Sequence, residues 1–261
     1  MDQRIIYNEI GICIINTDRA TCLFRLLTSI AKYTDFRILQ EAKVNILDDS
    51  LNSASVVQTI KQFPFVNYIH TGVRIGVAHN TNRALQLIKH KQFSFIFNND
   101  CEILKEKWID FYFNASIQTN IHHFSFQQEG IWGAGTDKRP EEKKIINGVE
   151  IKTLQNYPQG ALLVFDKLAF KTVGYFDSIA FMGYGKSHWD WSFRISESGI
   201  QPKGFHDVIS SNNYFKVHDE RCITDPKKRA EDYRRNTEIY NQRIKDIQSK
   251  KRPIFVEYPN G

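Results

Sequence analysis

The N-terminal part of the chain alternates between short apolar runs and stretches of helical spacing, and no other feature of the sequence constrains the fold so strongly. The apolar runs have the length and composition of buried strands, and they span residues 10–15, 44–47, 66–69 and 93–97. Between the runs, apolar residues recur at intervals of three and four, as on one face of an α-helix. Strands that alternate with helices across short connections predict a parallel sheet with right-handed crossovers.

Polar side chains or glycines follow each of these four runs. Because the carboxyl ends of parallel strands share one edge of a sheet, these residues are predicted to line one crevice, where open α/β sheets bind ligands. The last run stops at Asn98, Asn99 and Asp100. Their oxygens suit Mg²⁺ or Mn²⁺ carrying a diphosphate, although an Asn-rich turn would look the same. The other residues expected at this edge are Asn16, Thr17, Asp18, Asp48 and Gly76.

Beyond about residue 105 the pattern changes to shorter strands, which predict a second and smaller β region. The expected strands span residues 124–127, 131–132, 145–154, 160–165 and 214–217, and the expected helices span 108–117, 167–173 and 187–198. The pair Asn147-Gly148 is a strong signal for a tight hairpin turn. The charged residues 138–144 are expected to form a solvated loop.

A basic amphipathic helix is predicted from residue 225 onwards. Tyr233, Tyr240, Ile244 and Ile247 share one stripe among lysines and arginines, and we expect this stripe to pack on the rest of the protein. The alternative is peripheral contact of this helix with a membrane surface. The predicted units are therefore residues 1–222, with halves at about 1–105 and 106–222, followed by a helix and tail over residues 223–261.

Composition narrows the choice of partner and compartment. The net charge of +6 favours an anionic partner. The basic residues gather in the C-terminal helix without interleaved stacking aromatics in a groove-like pattern, so nucleic acid is not expected as a partner. The four cysteines form no CxxC pair, which gives no sign of a zinc knuckle. No signal peptide and no apolar stretch of about 18 residues is visible, so a cytoplasmic location, or the inner face of the membrane, is expected.

Several short segments, in this order, resemble the family 2 glycosyltransferases, which have the GT-A fold. Residues 12–19 resemble the opening strand and turn of that family, and residues 46–50 its second strand with a nucleotide-binding acid. Residues 76–80 and 97–100 resemble its Gly-x-Ala-x-Asn segment and its DXD-type metal motif. Residues 174–177, 183–185 and 188–194 resemble the block that leads into the acidic acceptor-site helix. The resemblance covers residues 10–218.

The resemblance implies a Rossmann-like, mostly parallel central sheet flanked by helices, with a smaller acceptor-side β region. It also implies inverting, metal-dependent transfer of a sugar from a nucleotide donor, most simply a UDP-sugar. The acceptor would be a hydroxyl of a glycan on a protein, a lipid carrier or a surface polysaccharide. The implied cofactor is Mn²⁺ or Mg²⁺.

The resemblance also assigns roles to residues. Asp100 is expected to bind the metal, and His218 corresponds to a late histidine that closes the metal site in several members. Either Asp48 or its neighbour Asp49 would accept a hydrogen bond from a uracil-type base. Gly160 would leave room for the donor sugar. The expected donor-site residues are Asn16, Thr17, Asp18, Asp48, Gly76, Asn80, Asn98 and Asn99.

The acceptor side carries the clearest departure from the family pattern. Its usual Glu-Asp pair reads Ser187-His188 in this chain, so His188 stands at the position of the general base. A histidine suits proton transfer near neutral pH. Asp190 competes for that role, or else binds the acceptor or orients His188. The aromatic residues that could form a floor for a sugar ring are Phe181, Tyr184, Trp189 and Trp191.

The departures leave other functions open. A catalytically inactive GT-A module that only binds a glycan or a partner protein would also fit the change to Ser187-His188. A sugar-nucleotide nucleotidyltransferase is a weaker alternative, because that class would need a glycine-rich first loop with a lysine, which residues 16–19 lack.

Overall fold

The structure, a computed structural model, describes residues 7–128, 141–154, 158–220 and 225–259, and a mixed nine-stranded sheet runs through it. The sheet order is β3-β2-β1-β4-β9-β6-β10-β8-β7, and a small second sheet pairs β11 with β5. The strands are β1 (Ile10–Asn16), β2 (Val44–Asp48), β3 (Val66–His70), β4 (Phe93–Asn98), β5 (Cys101–Ile103), β6 (His123–Ser125), β7 (Glu141–Ile146), β8 (Val149–Leu154), β9 (Leu162–Asp166), β10 (Phe205–Val208) and β11 (Phe215–Val217).

Helices cover both faces of this sheet. They are α1 (Ala20–Tyr33), α2 (Phe36–Ala42), α3 (Ala54–Ile60), α4 (Val77–Ile88), α5 (Trp108–Thr119), α6 (Lys167–Val173), α7 (Ser187–Glu197) and α8 (Pro226–Gln248). On β1, Ile12 and Ile14 pack against the core that contains α1 and α5, whereas Cys13 and Ile15 pack against the core that contains α4 and α7. A strand buried on both faces has to be apolar at every position, which explains the unbroken apolar run.

The four N-terminal strands confirm the predicted parallel unit. β1 pairs in parallel with β2 and β4, and β2 pairs in parallel with β3. The carboxyl ends of these strands therefore share one edge. Beyond β4 the sheet turns antiparallel at β9, and the second half is mixed, with β6 parallel to β10 and the other pairs antiparallel.

The second half differs from the sequence expectations in identifiable places. Glu141–Ile146 forms the edge strand β7 rather than part of a loop, and it pairs with β8 across the predicted Asn147-Gly148 turn. Its charged side chains suit an edge, where they discourage pairing with other chains. The short elements α2, β5 and β10 were not predicted. The strand expected at residues 131–132 lies outside the described residues.

The C-terminal helix α8 packs on the domain through the predicted apolar stripe. Asp225 caps it by accepting a hydrogen bond from the backbone N–H of Lys227 at 2.9 Å. Tyr240 and Ile247 are buried with Trp189 and Phe193 of α7. Tyr240 and Ile247 of this stripe are therefore covered by the protein itself, whereas Tyr233 is 43% exposed. Among the described residues, no helix combines the length and apolar character needed to cross a bilayer.

Asn236 joins α8 to the loop that precedes α7. Its buried side-chain amide donates to the backbone carbonyls of Met182, Tyr184 and Gly185, each at 3.0 Å. On the same side of the helix, Asp232 accepts a hydrogen bond from the backbone N–H of Tyr184 at 3.2 Å. The loop is thus held by side chains of α8 as well as by its own turns.

We predict that Asn236→Leu destabilises the protein by about 2–4 kcal/mol, because the loop carbonyls lose a shared donor. Urea unfolding should show a lower midpoint with an unchanged slope. Asn241→Leu, on the exposed face of the same helix, is the matched control and should leave the midpoint within about 0.5 kcal/mol of the wild type. Equal midpoints for the two variants would contradict the role of Asn236.

Candidate active site

A cavity of about 200 Å³ opens at the carboxyl end of β4, between the sheet, α7 and α8. It collects side chains from segments that are distant in sequence. Its polar and aromatic lining residues include Asn98, Asp100, Gln159, Tyr184, Lys186, His188, Trp189, Asp219 and Tyr233. Asn98, Asp100 and His188, which the sequence analysis named for different roles, all line this cavity, whereas Asp48 does not.

Buried hydrogen bonds connect the strand ends beside this cavity. The amide of Asn99 donates to the side-chain oxygen of Asn16, and the amide of Asn16 donates to Asp48 at 2.8 Å. Asp48 also accepts from the hydroxyl of Tyr68 at 2.7 Å and from the hydroxyl of Ser50 at 2.5 Å. Both carboxylate oxygens of Asp48 are engaged and its side chain has no exposed surface, so in this structure it holds neighbouring segments together.

A second group of contacts orders the loops that leave the same strands. Asp49 accepts from the hydroxyl of Thr17 and from the backbone N–H of Gly76, the latter at 3.0 Å. Asp18 pairs with Arg74. The expected donor-site residues of β1, β2 and the loop after β3 thus lie together, but they are absent from the lining of the cavity below α7.

Asn80 also has a supporting position. It is fully buried in α4, and its amide donates to the backbone carbonyl of Leu47 at 2.8 Å. This contact ties the helix to the carboxyl end of β2.

Asp100 combines burial with an unused oxygen. Its Oδ2 lies 3.6 Å from a guanidinium nitrogen of Arg19, whereas its Oδ1 is buried with no hydrogen-bond partner among the described residues. Burial raises the pKa of this carboxyl above its ordinary value; Arg19 opposes the rise and Asp219 adds to it. The side-chain oxygen of Asn99 is likewise buried and without a partner there. Buried polar atoms of this kind usually bond to a ligand, an ion or a water.

The side-chain oxygens of Asp100 and Asn99 are of the kind that binds a hard divalent cation, but they are too few to form a full coordination sphere. Asp100 and Asp219 lie close enough for their charges to interact and both line the cavity. Oxygen ligands of this type suit Mg²⁺ or Mn²⁺, which keep several waters or take substrate phosphates as further ligands. Within the described ranges, no group of three or more His, Cys, Asp or Glu side chains is arranged to hold a metal by itself.

The imidazole of His218 contacts Glu102. Its Nε2 is 2.8 Å from a carboxylate oxygen of Glu102, and it is absent from the cavity lining. The backbone N–H of His218 donates to the carbonyl of Asp100 at 3.0 Å, which extends the pairing of β11 with β5. Asp219, one residue later, has a φ of 48° in the left-handed region, and it lines the cavity. The position of His218 argues against the metal-ligand role expected from sequence.

His188 faces the cavity across Gly160. A Cβ atom added at residue 160 would collide with the imidazole ring, so the absence of a side chain there is what admits His188. Burial lowers the pKa of His188 to about 3, the positive charge of Lys186 lowers it further, and a hydrogen bond with the backbone of Pro158 opposes this shift. The imidazole is therefore neutral at physiological pH.

Asp190 lies on the opposite side of α7 and does not line the cavity. Residues two positions apart in an α-helix are separated by about 200° around its axis. His188 and Asp190 therefore cannot face the same space. Asp190 is fully buried, accepts a hydrogen bond from Nε of Arg194 at 2.9 Å, and lies 3.4 Å from a nitrogen of Arg243 on α8. This position contradicts a role for Asp190 as the base or as an acceptor ligand.

Two of the four aromatic residues expected to form a floor for a sugar line the cavity, and the other two lie in the core. Trp189 and Tyr184 line the cavity, whereas Trp191 is fully buried in the core and Phe181 is almost fully buried. Sequence reasoning missed Asp219, Lys186 and Tyr233 as cavity residues. The approach of Tyr233 to Lys186 joins residues 47 positions apart, and no local spacing signals it.

Solved structures give an independent view of the architecture. TarS from S. aureus, residues 1–349, superimposes with a TM-score of 0.59 over 90% of this chain at 15% identity. GalNAc-T7 with UDP, GalNAc and Mn²⁺ gives a TM-score of 0.61 over 89% of this chain at 14% identity. The chain has the GT-A fold. The mannosyltransferase PcManGT from Pyrobaculum calidifontis, in complex with GDP-Man and Mn²⁺, gives 0.51 over 75% at 14% identity.

This chain spans only part of the length of these three solved structures. The aligned region corresponds to 65% of the TarS fragment, 48% of GalNAc-T7 and 55% of PcManGT. No protein-family model matches the sequence, and no curated protein sequence matches it. The likeness is thus one of fold, and the chemistry has to be inferred from the site.

We predict that His188 stays neutral between pH 5 and 8. The unfolded chain protonates this residue near about pH 6.5, so below that pH the unfolded state binds a proton that the folded state does not. The free energy of unfolding therefore falls as the pH drops from about 6.5 towards 3. His188→Gln removes this contribution, and its free energy of unfolding should decline less steeply than that of the wild type.

Urea unfolding at pH 7, 6 and 5, together with imidazole ¹H–¹⁵N spectra, measures both effects. His90→Gln, at an exposed position, is the control for the loss of a histidine as such. An imidazole signal of His188 that titrates near pH 6.5 would contradict the burial argument.

Proposed function

We propose that this protein is a metal-dependent, inverting glycosyltransferase that moves a sugar from a nucleotide donor, most simply a UDP-sugar, to a glycan hydroxyl. The observation that carries the proposal is the single cavity that holds Asp100, Asp219 and His188 at the carboxyl edge of the sheet. The GT-A fold supports it, since GalNAc-T7 and PcManGT, which share the fold, were solved with nucleotides and Mn²⁺. TarS was solved with UDP-GlcNAc.

In this proposal Asp100 and Asp219 hold the divalent cation together with the donor diphosphate. When bound, the cation would stabilise the charge that develops on the leaving diphosphate. Asp100 contributes a buried oxygen that has no other partner among the described residues. Asn98 borders the same space and would contact the ribose or a water on the cation.

The nucleoside would lie along the loops that follow β1 and β2. Thr17 and Asp18 are the residues proposed to border the base and ribose. Asp48, Asn16 and Asn99 would act through the buried hydrogen bonds that fix these loops. Gly76 would allow close approach of the chain, since its φ of 84° is readily adopted only by glycine.

His188 would act on the acceptor hydroxyl. The base in an inverting transfer takes the hydroxyl proton during attack on the anomeric carbon, and it must lie within hydrogen-bond reach of the acceptor. His188 is neutral, borders the cavity and lies over Gly160, beside the space proposed for the donor sugar. The acceptor itself would be a glycan on a protein, a lipid carrier or a surface polysaccharide.

One observation favours a second candidate function. A pKa of about 3 makes His188 a weak base, and a base is most effective when its pKa is near the working pH. A GT-A module that binds nucleotide sugar or glycan without transferring sugar has no need of a stronger base. Release of UDP from a panel of UDP-sugars with Mn²⁺ separates the two functions, because only the enzyme gives sustained turnover.

We predict that Asp100→Asn lowers turnover at least about a hundredfold, because a cation at this site supplies several kcal/mol of transition-state stabilisation. Binding of Mn²⁺, followed by electron paramagnetic resonance in the presence of UDP, should weaken in parallel. Glu106→Gln, at an exposed position shortly after β5, is the matched control and should behave as the wild type. Full turnover by the Asp100 variant would refute the metal assignment.

We predict opposite consequences for the two α7 residues that sequence could not separate. His188→Gln should lower kcat by about 10²–10⁴-fold with little change in UDP affinity. Asp190→Asn should instead lower stability by about 3–5 kcal/mol, because Arg194 and Arg243 lose a buried counter-charge. Steady-state kinetics and urea unfolding of both variants measure the difference, and a selective loss of kcat in a stable Asp190 variant would reverse the assignment.

A further inference from the structure

Asp219, one of the two carboxylates proposed to bind the cation, has an uncommon backbone conformation. Its φ of 48° lies in the left-handed region, which residues other than glycine seldom adopt. A residue keeps such a conformation only where the surrounding structure fixes it, and residues of this kind are frequent at functional sites. Contacts on both sides of Asp219 are therefore needed to hold it at the cavity.

The residue before Asp219 is fixed to the small second sheet. The backbone N–H of His218 donates to the carbonyl of Asp100 at 3.0 Å, and its imidazole Nε2 lies 2.8 Å from a carboxylate oxygen of Glu102. These contacts continue the pairing of β11 with β5. The direction in which the chain enters residue 219 is thus set by strands.

The residue after Asp219 is fixed to helix α1 instead. The carboxylate of Glu220 pairs with Arg25 and accepts a hydrogen bond from the thiol of Cys22 at 2.8 Å. The backbone carbonyl of Glu220 accepts from the guanidinium of Arg19. These three partners recur at intervals of three residues, which places neighbours on the same side of a helix. One residue of the chain therefore binds the start of α1 at three points.

The exposure of this ion pair indicates what it contributes. The side chains of Arg25 and Glu220 are 29% and 43% exposed, and ion pairs at such exposure add little to the stability of a fold. Their contact does, however, determine where the chain runs after Asp219. Arg19 also lies 3.6 Å from Oδ2 of Asp100, so the start of α1 contacts one proposed cation ligand and the neighbour of the other.

We propose that Glu220 is a positioning residue of the cation site: by binding α1, it holds Asp219 in its left-handed conformation at the cavity. This rests on the proposed function, in which Asp100 and Asp219 hold a divalent cation. Glu220 is not among the described residues that line the cavity, so it acts through Asp219. A ligand that is already ordered binds without the cost of ordering its backbone, which for one residue corresponds to about five- to thirtyfold in affinity.

Electron paramagnetic resonance of Mn²⁺ in the presence of UDP tests this role. We expect Glu220→Ala and Arg25→Ala each to weaken Mn²⁺ affinity within the range of about five- to thirtyfold, while the urea midpoint stays close to that of the wild type. Glu220→Gln, whose amide oxygen can still accept hydrogen bonds, should retain most of the affinity. Because both alanine variants break the same ion pair, the double variant should bind about as well as Glu220→Ala alone.

The matched controls break another partly exposed ion pair. Glu142 and Lys144 of β7 are joined at 2.8 Å, with side chains 49% and 59% exposed. Glu142→Ala and Lys144→Ala should therefore bind Mn²⁺ as the wild type does.

Asp219→Ala separates positioning from direct ligation. This variant removes a proposed ligand, and on this background Glu220→Ala should cause no further loss of Mn²⁺ affinity, because Glu220 acts only through Asp219. An equal loss with and without the Asp219 carboxylate would make Glu220 a ligand and overturn its positioning role.

The ¹⁵N order parameter of the Asp219 amide gives a second readout that needs no metal. We expect about 0.85 in the wild type, as in a rigid backbone, and less than about 0.6 in Glu220→Ala and Arg25→Ala. Wild-type order parameters in both variants overturn the proposal, as does wild-type Mn²⁺ affinity in both. If Glu220→Ala does not fold, Arg25→Ala removes the same ion pair from the side of α1.

The two proposals fail separately. A wild-type protein that binds no Mn²⁺ in the presence of UDP would defeat the cation site of the proposed function. The order parameters would then still decide whether Glu220 holds Asp219 in place.

Discussion

The buried hydrogen bonds that run from Asn99 through Asn16 to Asp48 are the contact on which the geometry of this protein depends. Amides and carboxylates without water are stable in a protein interior only when their partners are in place. Their pairing therefore fixes how the ends of β1, β2 and β4 lie relative to one another. Asp100 follows Asn99 directly, so the position of its buried carboxylate depends on the same hydrogen bonds.

A second constraint comes from charges buried around α7. Asp190 lies between Arg194 of its own helix and Arg243 of α8, and removal of any member of such a cluster leaves an uncompensated charge. Asp190, which the sequence analysis considered as a base, thus holds α8 against α7. His188 lies on the opposite face of α7, and Lys186 lies in the loop before this helix; both line the cavity. Helix α7 therefore separates the buried ion pairs of Asp190 from the polar groups of the cavity.

Much of the fold could be predicted because its cause is local. The unbroken apolar runs of β1 and β4 reflect burial on both faces, and the polar residues after them mark the edge of the sheet. The separation of His188 from Asp190 was also available from sequence, since helical geometry places them on opposite faces.

Other parts of the site could not be predicted because their causes are not local. The choice of Asp219 over His218 at the cavity depends on where the pairing of β11 with β5 ends. It also depends on the left-handed backbone of Asp219, whose φ is 48°, and no sequence pattern signals that conformation at an aspartate. The surroundings of Lys186 depend on the docking of α8, and the spacing between Lys186 and Tyr233 carries no periodic signal.

The contribution of α8 to the cavity also determines when that cavity can be completed during translation. Residues 226–248 leave the ribosome after every strand of the central sheet has been synthesised. Until α8 has been synthesised, the loop before α7 lacks the hydrogen bonds from the amide of Asn236 and the contact of Lys186 with Tyr233. A nascent chain can therefore assemble its sheet and its proposed cation ligands before the side of the cavity that α8 contributes is complete.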